Sequence, residues 1–362
     1  MKQASRCWNE KFTSFLVKFK FKVSQADNCV FVNNDSGKKI LLAIYIDDGL
    51  IAASSENDIG DLVQYLNREF KTKTGNLECY LGIEVDQGID GSIHIHQNAY
   101  SRKILKRFNM DECNAVAIPA DQHHSTSSRS YPNEEEENAL DVPYREAVGS
   151  LMYLAVATRP DIAYAVGTVS QYLANPKRFH WNAVKRIFKY IKGTLDYGIF
   201  FVNKVNLNLN GFSDADYARD EGTRKSTSGY AFMLGSSIVS WCSQKQRTVA
   251  LLTTESEYVA ACQSIKELVW LKLLMAELIS NNSITLYMDN QCVIRLIQNP
   301  EFHKRTKHID VRYHFIREKF RDGVFQLEYV HTSNQLADIF TKPLNFETFK
   351  RLRELIGIVS IK

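Results

Sequence analysis

No stretch of this sequence approaches the ~18–20 consecutive apolar residues that a membrane span needs, and the N-terminus carries no signal-peptide pattern. The expectation is a soluble, intracellular chain. A strong charge imbalance is missing as well. The formal net charge is only +4, so any case for a nucleic-acid partner must rest on local clustering. Paired cysteine motifs are also lacking. Cys7, Cys29, Cys79, Cys113, Cys242, Cys262 and Cys292 are scattered, odd in number and never spaced C-x-x-C. That pattern speaks against a disulfide frame or a zinc knuckle and suits reduced thiols. Internal repeats are absent too. What is present is an ordinary globular composition, 44% hydrophobic and 24% charged over 362 residues, enough for two or three domains of roughly 100–200 residues each.

The apolar spacing changes along the chain. Trp8, Phe12, Phe15, Leu16 and Phe19 recur with helical period, and a second helix is expected from Asp58 to Phe70. Between them, the β-prone run from Ile40 to Ile46 stops at Asp47-Asp48-Gly49. Residues 79–95 alternate like a hairpin with a turn at Asp90-Gly91. Residues 120–141 are Ser/Thr- and Glu-rich with almost no large apolar residue, which marks a linker. Residues 143–193 are helical by period, with breaks near Arg159-Pro160-Asp161 and Asn175-Pro176; from 198 onward strands alternate with helices, as in a mixed α/β domain.

Four acidic positions in the second half carry chemistry. Gly211 to Tyr217 reads as a strand with Asp214 and Asp216 on one face. Like charges on one sheet face cost free energy unless solvent or a cation compensates, and a metal ion is one such cation. Thr254 to Tyr258 opens a helix with two glutamates, only one of which can share a site. The stripe through Glu257 continues with Ala261, Ser264, Ile265, Leu268, Leu271 and Met275, whereas that through Glu255 meets Lys266. Glu257 is therefore the candidate. A buried strand, Ile284 to Met288, ends at Asp289, and Asn334 to Asp338 is expected to begin a C-terminal helix shortly after His331. Oxygen-only donors of this kind suit Mg²⁺ or Mn²⁺, in a pair of ions about 3.5–4 Å apart.

The order Asp214, Glu257, Asp289, Asp338 on strand, helix, strand, helix resembles ribonuclease H, and the resemblance implies that these four hold the catalytic metal ions. It also implies a proton-transfer or product-release role for His331. The segments Ser213 to Asp216, Arg224 to Tyr230, Glu255 to Tyr258, Lys307 to Asp310 and Gln335 to Leu344 resemble the copia-type branch of retrotransposon Pol polyproteins, although Arg219 and Ser256 stand where smaller residues are expected. Lys2 to Trp8, Ala26 to Phe31, Tyr45 to Asp48 and Tyr80 to Val85 are similar to the reverse transcriptase of the same family, in which Asp47 and Asp48 would be the metal-binding hairpin carboxylates. From the residues alone, adjacent acids after an apolar strand are as often a plain turn.

The resemblance implies an α+β and α/β multi-domain chain. Its parts would be a partial reverse transcriptase palm and thumb (1–119), a linker (120–141), a helical connection (142–197), a ribonuclease H-like mixed five-stranded sheet flanked by helices (198–346) and a tail (347–362). It implies hydrolysis of the RNA strand of RNA–DNA hybrids during reverse transcription, and partnership with the rest of the Pol polyprotein in a cytoplasmic virus-like particle with access to the nucleus. The third polymerase aspartate is expected before Met1, so no polymerase activity is expected of the chain alone. Two basic segments are candidates for holding the hybrid. Lys185, Lys189 and Lys192 share one face of the helix over 177–192, and Arg305 and Lys307 lie in the basic stretch 303–321. Three histidines there, His303, His308 and His314, have spacings that do not stack on one helical face, which argues against zinc. An integrase reading needs a glutamate roughly 35 residues after the second aspartate, but Glu318 and Glu328 follow Asp289 by 29 and 39 positions (318 − 289 and 328 − 289). The rival of another class is a non-catalytic transposon relic that binds nucleic acid.

Overall fold

The computed structural model describes residues 3–35, 37–121, 141–203, 207–279, 283–299 and 310–360. Chain contacts divide it into two compact units, Met1–Leu81 with Val269–Asn282, and Gly82–Leu268 with Ser283–Lys362.

In the first unit, helix α1 (Ala4–Lys18) precedes strands β1 (Lys22–Val23), β2 (Val30–Asn33), β3 (Ile40–Tyr45) and β4 (Asp48–Ala53), then helix α2 (Glu56–Leu66) and the short β5 (Cys79–Tyr80). Strands β1 to β4 form an antiparallel sheet in chain order. The apolar period of α1 buries Phe12 and Leu16 against Phe31, Ile40 and Leu42 of the sheet and Leu62 and Leu66 of α2. Helix α2 starts earlier than the spacing predicts because Ser55 caps it, accepting from the Asp58 N–H and donating its hydroxyl to the Asp58 carboxylate at 2.8 Å.

The second unit begins with the hairpin β6 (Ile83–Gln87) and β7 (Ile93–His96), whose turn contains Gly91 at φ +79°. Helices α3 (Asn98–Arg107), α4 (Tyr144–Ala157), α5 (Ala163–Ser170) and α6 (Arg178–Gly193) follow. Next come β8 (Tyr197–Phe201), β9 (Leu209–Asp216), β10 (Thr227–Leu234), β11 (Ser237–Lys245) and the long helix α7 (Thr253–Leu278), whose residues from Val269 onward belong to the first unit. The remainder is β12 (Thr285–Met288), α8 (Gln291–Gln298), α9 (Asp310–Arg321), β13 (Gln326–Tyr329), α10 (Phe346–Leu355) and β14 (Ile358–Ser360). One sheet runs β11-β10-β9-β12-β13, antiparallel up to β9 and parallel beyond it. This is the expected mixed five-stranded sheet. A second sheet contains β14-β8-β7-β6 in that order.

Two expectations are corrected. Of the expected tail 347–362, the described residues 347–360 are folded: α10 buries Phe349 and Leu352 in the core shared with α4 to α6, and β14 pairs with β8. Asp338 lies on a 3-10 turn, Leu336–Phe340, rather than at the start of an α-helix, which first forms at Phe346 behind the cap residue Asn345. Pro343 explains the delay, since proline lacks the N–H that a continuing helix would use.

A buried polar network braces α4 to α6. Arg159 is 1% exposed and grips both Asp161 oxygens, at 2.9 and 2.8 Å, while donating to the Thr194 carbonyl and hydroxyl. Tyr190 donates to Asp161 at 2.6 Å and accepts from Arg353 of α10 at 3.3 Å. Bidentate geometry and full hydrogen bonding keep this pair ionised despite burial; the guanidinium holds the Asp161 carboxyl below the usual carboxylate range against the opposing effect of desolvation. No helix among the described residues is long and apolar enough to cross a membrane.

Candidate active site

The central strands deliver the first two carboxylates. Parallel pairing sets Thr285 opposite Asn210 and Tyr287 opposite Phe212, and continuing that register carries Asp289 beside Asp214 at the carboxyl ends of β12 and β9. On the other flank of β9, Gly229 of β10 faces Asp214. A Cβ at Gly229 would lie 2.7 Å from Thr341 Cγ2, 2.8 Å from Phe340 Cβ and 3.1 Å from the Ala337 carbonyl. The bare backbone there lets the turn bearing Asp338 lie directly on the sheet. Gln335 pins the same turn by donating from Nε2 to the Ser213 carbonyl at 3.0 Å.

Glu257 comes from the first turns of α7. Gln246 anchors that helix end by donating to the Ser256 carbonyl and the Ser228 hydroxyl, both at 2.9 Å. Of the two glutamates, Glu255 accepts from the Leu251 N–H at 2.8 Å and ties down the loop, while Glu257 is buried and points to the sheet. Ligand oxygens of Asp214, Glu257 and Asp289 all fall within 4.8 Å of one another. Glu257 Oε2 is buried with no hydrogen-bond donor among the described residues.

Asp338 joins through a cation. Lys342 Nζ is 2.9 Å from Asp338 Oδ1 and 4.0 Å from Asp214 Oδ2. Two threonines fix the strand-end acids, Thr341 Oγ1 donating to Asp214 Oδ2 at 2.5 Å and Thr332 Oγ1 to Asp289 Oδ2 at 2.8 Å. Sequence reading left Thr332, Thr341, Lys342 and Gly229 without individual roles. Gly229, Thr341 and Lys342 lie in the motif segments Arg224 to Tyr230 and Gln335 to Leu344, and their contacts come from neighbours across the fold.

The electrostatics are those of negative charge crowded out of water. Burial, then Asp214 and Asp289, raise the Glu257 carboxyl well above its ordinary range. Burial and then Asp214 push Asp338 up to about 7, with Lys342 opposing. Asp289 is raised by burial and by Asp214, although the Thr332 hydroxyl works the other way. Asp216 shares the Asp214 face but is paired with Arg219 at 3.3 Å and stands outside the three-acid cluster. An arrangement that leaves a buried carboxylate oxygen unpaired among three other acids fits divalent cations, and its all-oxygen donor set fits Mg²⁺ or Mn²⁺.

The other candidates lie elsewhere. His331 is exposed and caps the turn Thr332–Asn334, its Nδ1 2.9 Å from the Ser333 hydroxyl; Thr332, its neighbour, is the residue that holds Asp289. Asp47 and Asp48 are exposed at the β3–β4 hairpin of the first unit, next to Ile46 at φ +55°. A β-branched residue in that region is strained, a feature enriched at functional turns. Among the described residues neither aspartate belongs to a group of three metal-ligating side chains. Helix α6 buries Val184, Ile187, Phe188 and Ile191, and its Lys185 and Lys189 line an open cleft of about 1140 Å³ together with Lys177, Arg219 and Lys245. Lys192 is half-buried on the same helix outside that lining. Arg305, Lys307, His303 and His308 lie outside the described residues.

An antiparallel hairpin bearing paired aspartates and a mixed sheet bearing converging acids define the class: a reverse transcriptase-type chain with a ribonuclease H-like sheet. A family model described as reverse transcriptase (RNA-dependent DNA polymerase) matches residues 1–122. The chain is 39% identical over 366 residues to the retrovirus-related Pol polyprotein from transposon TNT 1-94 of Nicotiana tabacum, covering 99% of this chain and 28% of that protein. It is 36% identical over 370 residues to the corresponding polyprotein from transposon RE2 of Arabidopsis thaliana, covering 100% and 25%. The structure of a foamy viral protease-reverse transcriptase in complex with dsDNA matches with a TM-score of 0.50 and 11% identity over 91% of this chain and 59% of that one, a likeness of fold alone. The chain belongs to the copia-type retrotransposon Pol polyproteins and spans about a quarter of the length of these curated relatives.

Proposed function

We propose that this chain hydrolyses the RNA strand of RNA–DNA hybrids during reverse transcription, leaving 3′-hydroxyl ends, at the Asp214–Glu257–Asp289–Asp338 site. The observation that carries the reading is the convergence of Asp214, Glu257 and Asp289 around the unpaired Glu257 Oε2. Those three and Asp338 would hold Mg²⁺ or Mn²⁺, which when bound supplies an activated water and stabilises the leaving oxygen at phosphorus. The protein's part is positional. Thr341 and Thr332 fix the carboxylate rotamers, so less order is lost when substrate arrives. Lys342 balances part of the negative charge before cations bind. His331, exposed beside Thr332, would move a proton to or from solvent. The cleft carrying Lys185 and Lys189 offers ammonium groups to hybrid phosphates, while discrimination for RNA requires a contact to the 2′-hydroxyl.

The hairpin acids Asp47 and Asp48 are the polymerase half of the reading. On that reading DNA synthesis needs a further carboxylate beside this pair. The remainder of a Pol polyprotein is the partner that would complete it.

The test is cleavage of an end-labelled RNA–DNA hybrid. The wild-type chain should cut the RNA strand only with Mg²⁺ or Mn²⁺ present, and Asp289→Asn should lose that activity by on the order of 10³-fold. Hybrid binding without cleavage by the wild type would overturn the enzymatic reading in favour of a non-catalytic nucleic-acid-binding module.

A further inference from the structure

A second cluster of ligating side chains stands on the β6–β7 hairpin. Antiparallel pairing places Glu84 opposite His96 and Asp86 opposite His94, and strand alternation brings all four to one face. Asp86 Oδ2 is 2.9 Å from His96 Nε2 and 3.9 Å from His94 Nδ1. One ligand atom from each of Asp86, His94 and His96 falls within 4.8 Å of the other two. The two rings are 4.9 Å apart at their centroids.

His94 is the telling residue. It is 3% exposed, and neither ring nitrogen has a hydrogen-bond partner among the described residues. A buried imidazole normally satisfies at least one nitrogen, and this ring instead aims Nδ1 at a carboxylate just beyond bonding reach. The neighbouring strand makes room for it. A Cβ at Gly198 of β8 would lie 2.5 Å from His94 Nε2 and 2.4 Å from the Ile95 carbonyl. Asp86, with 71% of its side chain exposed, leaves the cluster open to solvent.

We propose that Asp86, His94 and His96 bind one divalent transition-metal ion of the Zn²⁺ class, with solvent completing the coordination. Tetrahedral ligands at Zn–N and Zn–O bonds of ~2.0–2.1 Å stand ~3.4 Å apart, a spacing that the observed 2.9 and 3.9 Å straddle. Small side-chain rotations therefore suffice. Glu84 braces the hairpin behind the site: its Oε1 accepts from the Ala99 N–H at 2.8 Å and lies 3.8 Å from His96 Nδ1, which itself accepts from the Asn98 N–H at 3.4 Å. Imidazole nitrogens select Zn²⁺, Co²⁺ or Ni²⁺ over Mg²⁺, so this site differs in kind from the carboxylate cluster. Its expected effect is to clip the hairpin together.

The full chain, held in excess Mg²⁺ to occupy the carboxylate cluster, is titrated with Co²⁺ while the visible bands of four-coordinate Co²⁺ are recorded. One equivalent should bind and be displaced by Zn²⁺. Asp86→Ala and His96→Ala should each weaken binding at least tenfold, whereas Asp289→Asn should leave it intact. Asp86 is exposed, so its removal spares the core, and unchanged far-UV circular dichroism verifies the fold of each variant. Zn²⁺ should also raise the melting midpoint of the wild type and not of the two variants. Absence of the four-coordinate spectrum in the wild type, its retention in either Asp86→Ala or His96→Ala, or its loss in Asp289→Asn would overturn the proposal.

Discussion

Asp47 and Asp48 on the first unit's hairpin and the four acids gathered at the second unit's sheet are both carboxylate sets, yet their surroundings are opposite. The hairpin pair is exposed, and water screens the repulsion between neighbours. Asp214, Glu257 and Asp338 are buried, and Glu257 and Asp338 are driven toward their neutral forms by burial and then by the charge of Asp214. Exposed acids can wait for a cation at no cost to the fold. Buried ones destabilise the fold until a cation or proton arrives, and natural proteins retain such destabilising clusters chiefly where function needs them.

Glu257→Gln separates these two situations most widely. Hybrid cleavage should fall by on the order of 10³-fold, while the metal-free protein becomes more stable. The sign follows from linkage. A carboxyl whose folded pKa is raised holds its proton in the native state, so its stabilising contribution is complete below the unfolded value near 4.3 and fades as pH rises. Metal-free wild type should therefore lose stability from about pH 4 upward through the value near 7 to which Asp338 is pushed, and the variant should lose less. Urea midpoints across that range in chelator would show it; identical pH profiles for the two proteins would contradict it.

Next in size is an effect on folding with no direct part in the chemistry. Asp161→Ala leaves the Arg159 guanidinium buried without its counter-charge, and loss of about 3–5 kcal/mol is expected. Asp47→Asn at the exposed hairpin should change stability by less than about 0.5 kcal/mol. Comparable urea midpoints for these two variants would remove the distinction drawn between buried and exposed charge. The smallest effect concerns substrate. Lys185→Glu with Lys189→Glu should weaken hybrid binding and reduce the slope of log affinity against log salt by about 2, while thermal midpoints stay within a few degrees; an unchanged salt slope would show that the α6 cleft does not meet the hybrid.

Much of the carboxylate site was legible because each ligand interrupts a regular pattern. Asp214 shares a strand face with Asp216, Asp289 follows an apolar strand, and Glu257 was separable from Glu255 because its stripe continues into buried Ala261, Ile265 and Leu268. Asp338 was found by its place in a motif, but its local structure was misread. Its 3-10 turn is held by Gln335 on Ser213 and by the clearance at Gly229, contacts between residues far apart in the chain. The same limit hid Lys342 as the cation between Asp214 and Asp338, and the Arg159–Asp161–Tyr190–Arg353 network, whose members look like a helix break, a core aromatic and a surface arginine when taken singly. The sheet β14-β8-β7-β6 was unreadable for a related reason. Its strands come from three distant segments, and the last of them is only Ile358–Ser360, too short to show a period.

The most direct test sets the two carboxylate regions against each other in one assay, Mg²⁺-dependent cleavage of a labelled RNA–DNA hybrid by the full chain. Asp214→Asn should abolish cleavage, and the double variant Asp47→Asn with Asp48→Asn should cut at the wild-type rate within about twofold. Cleavage that survives Asp214→Asn, or that disappears with the hairpin pair, would contradict the assignment of the chemistry to the buried cluster.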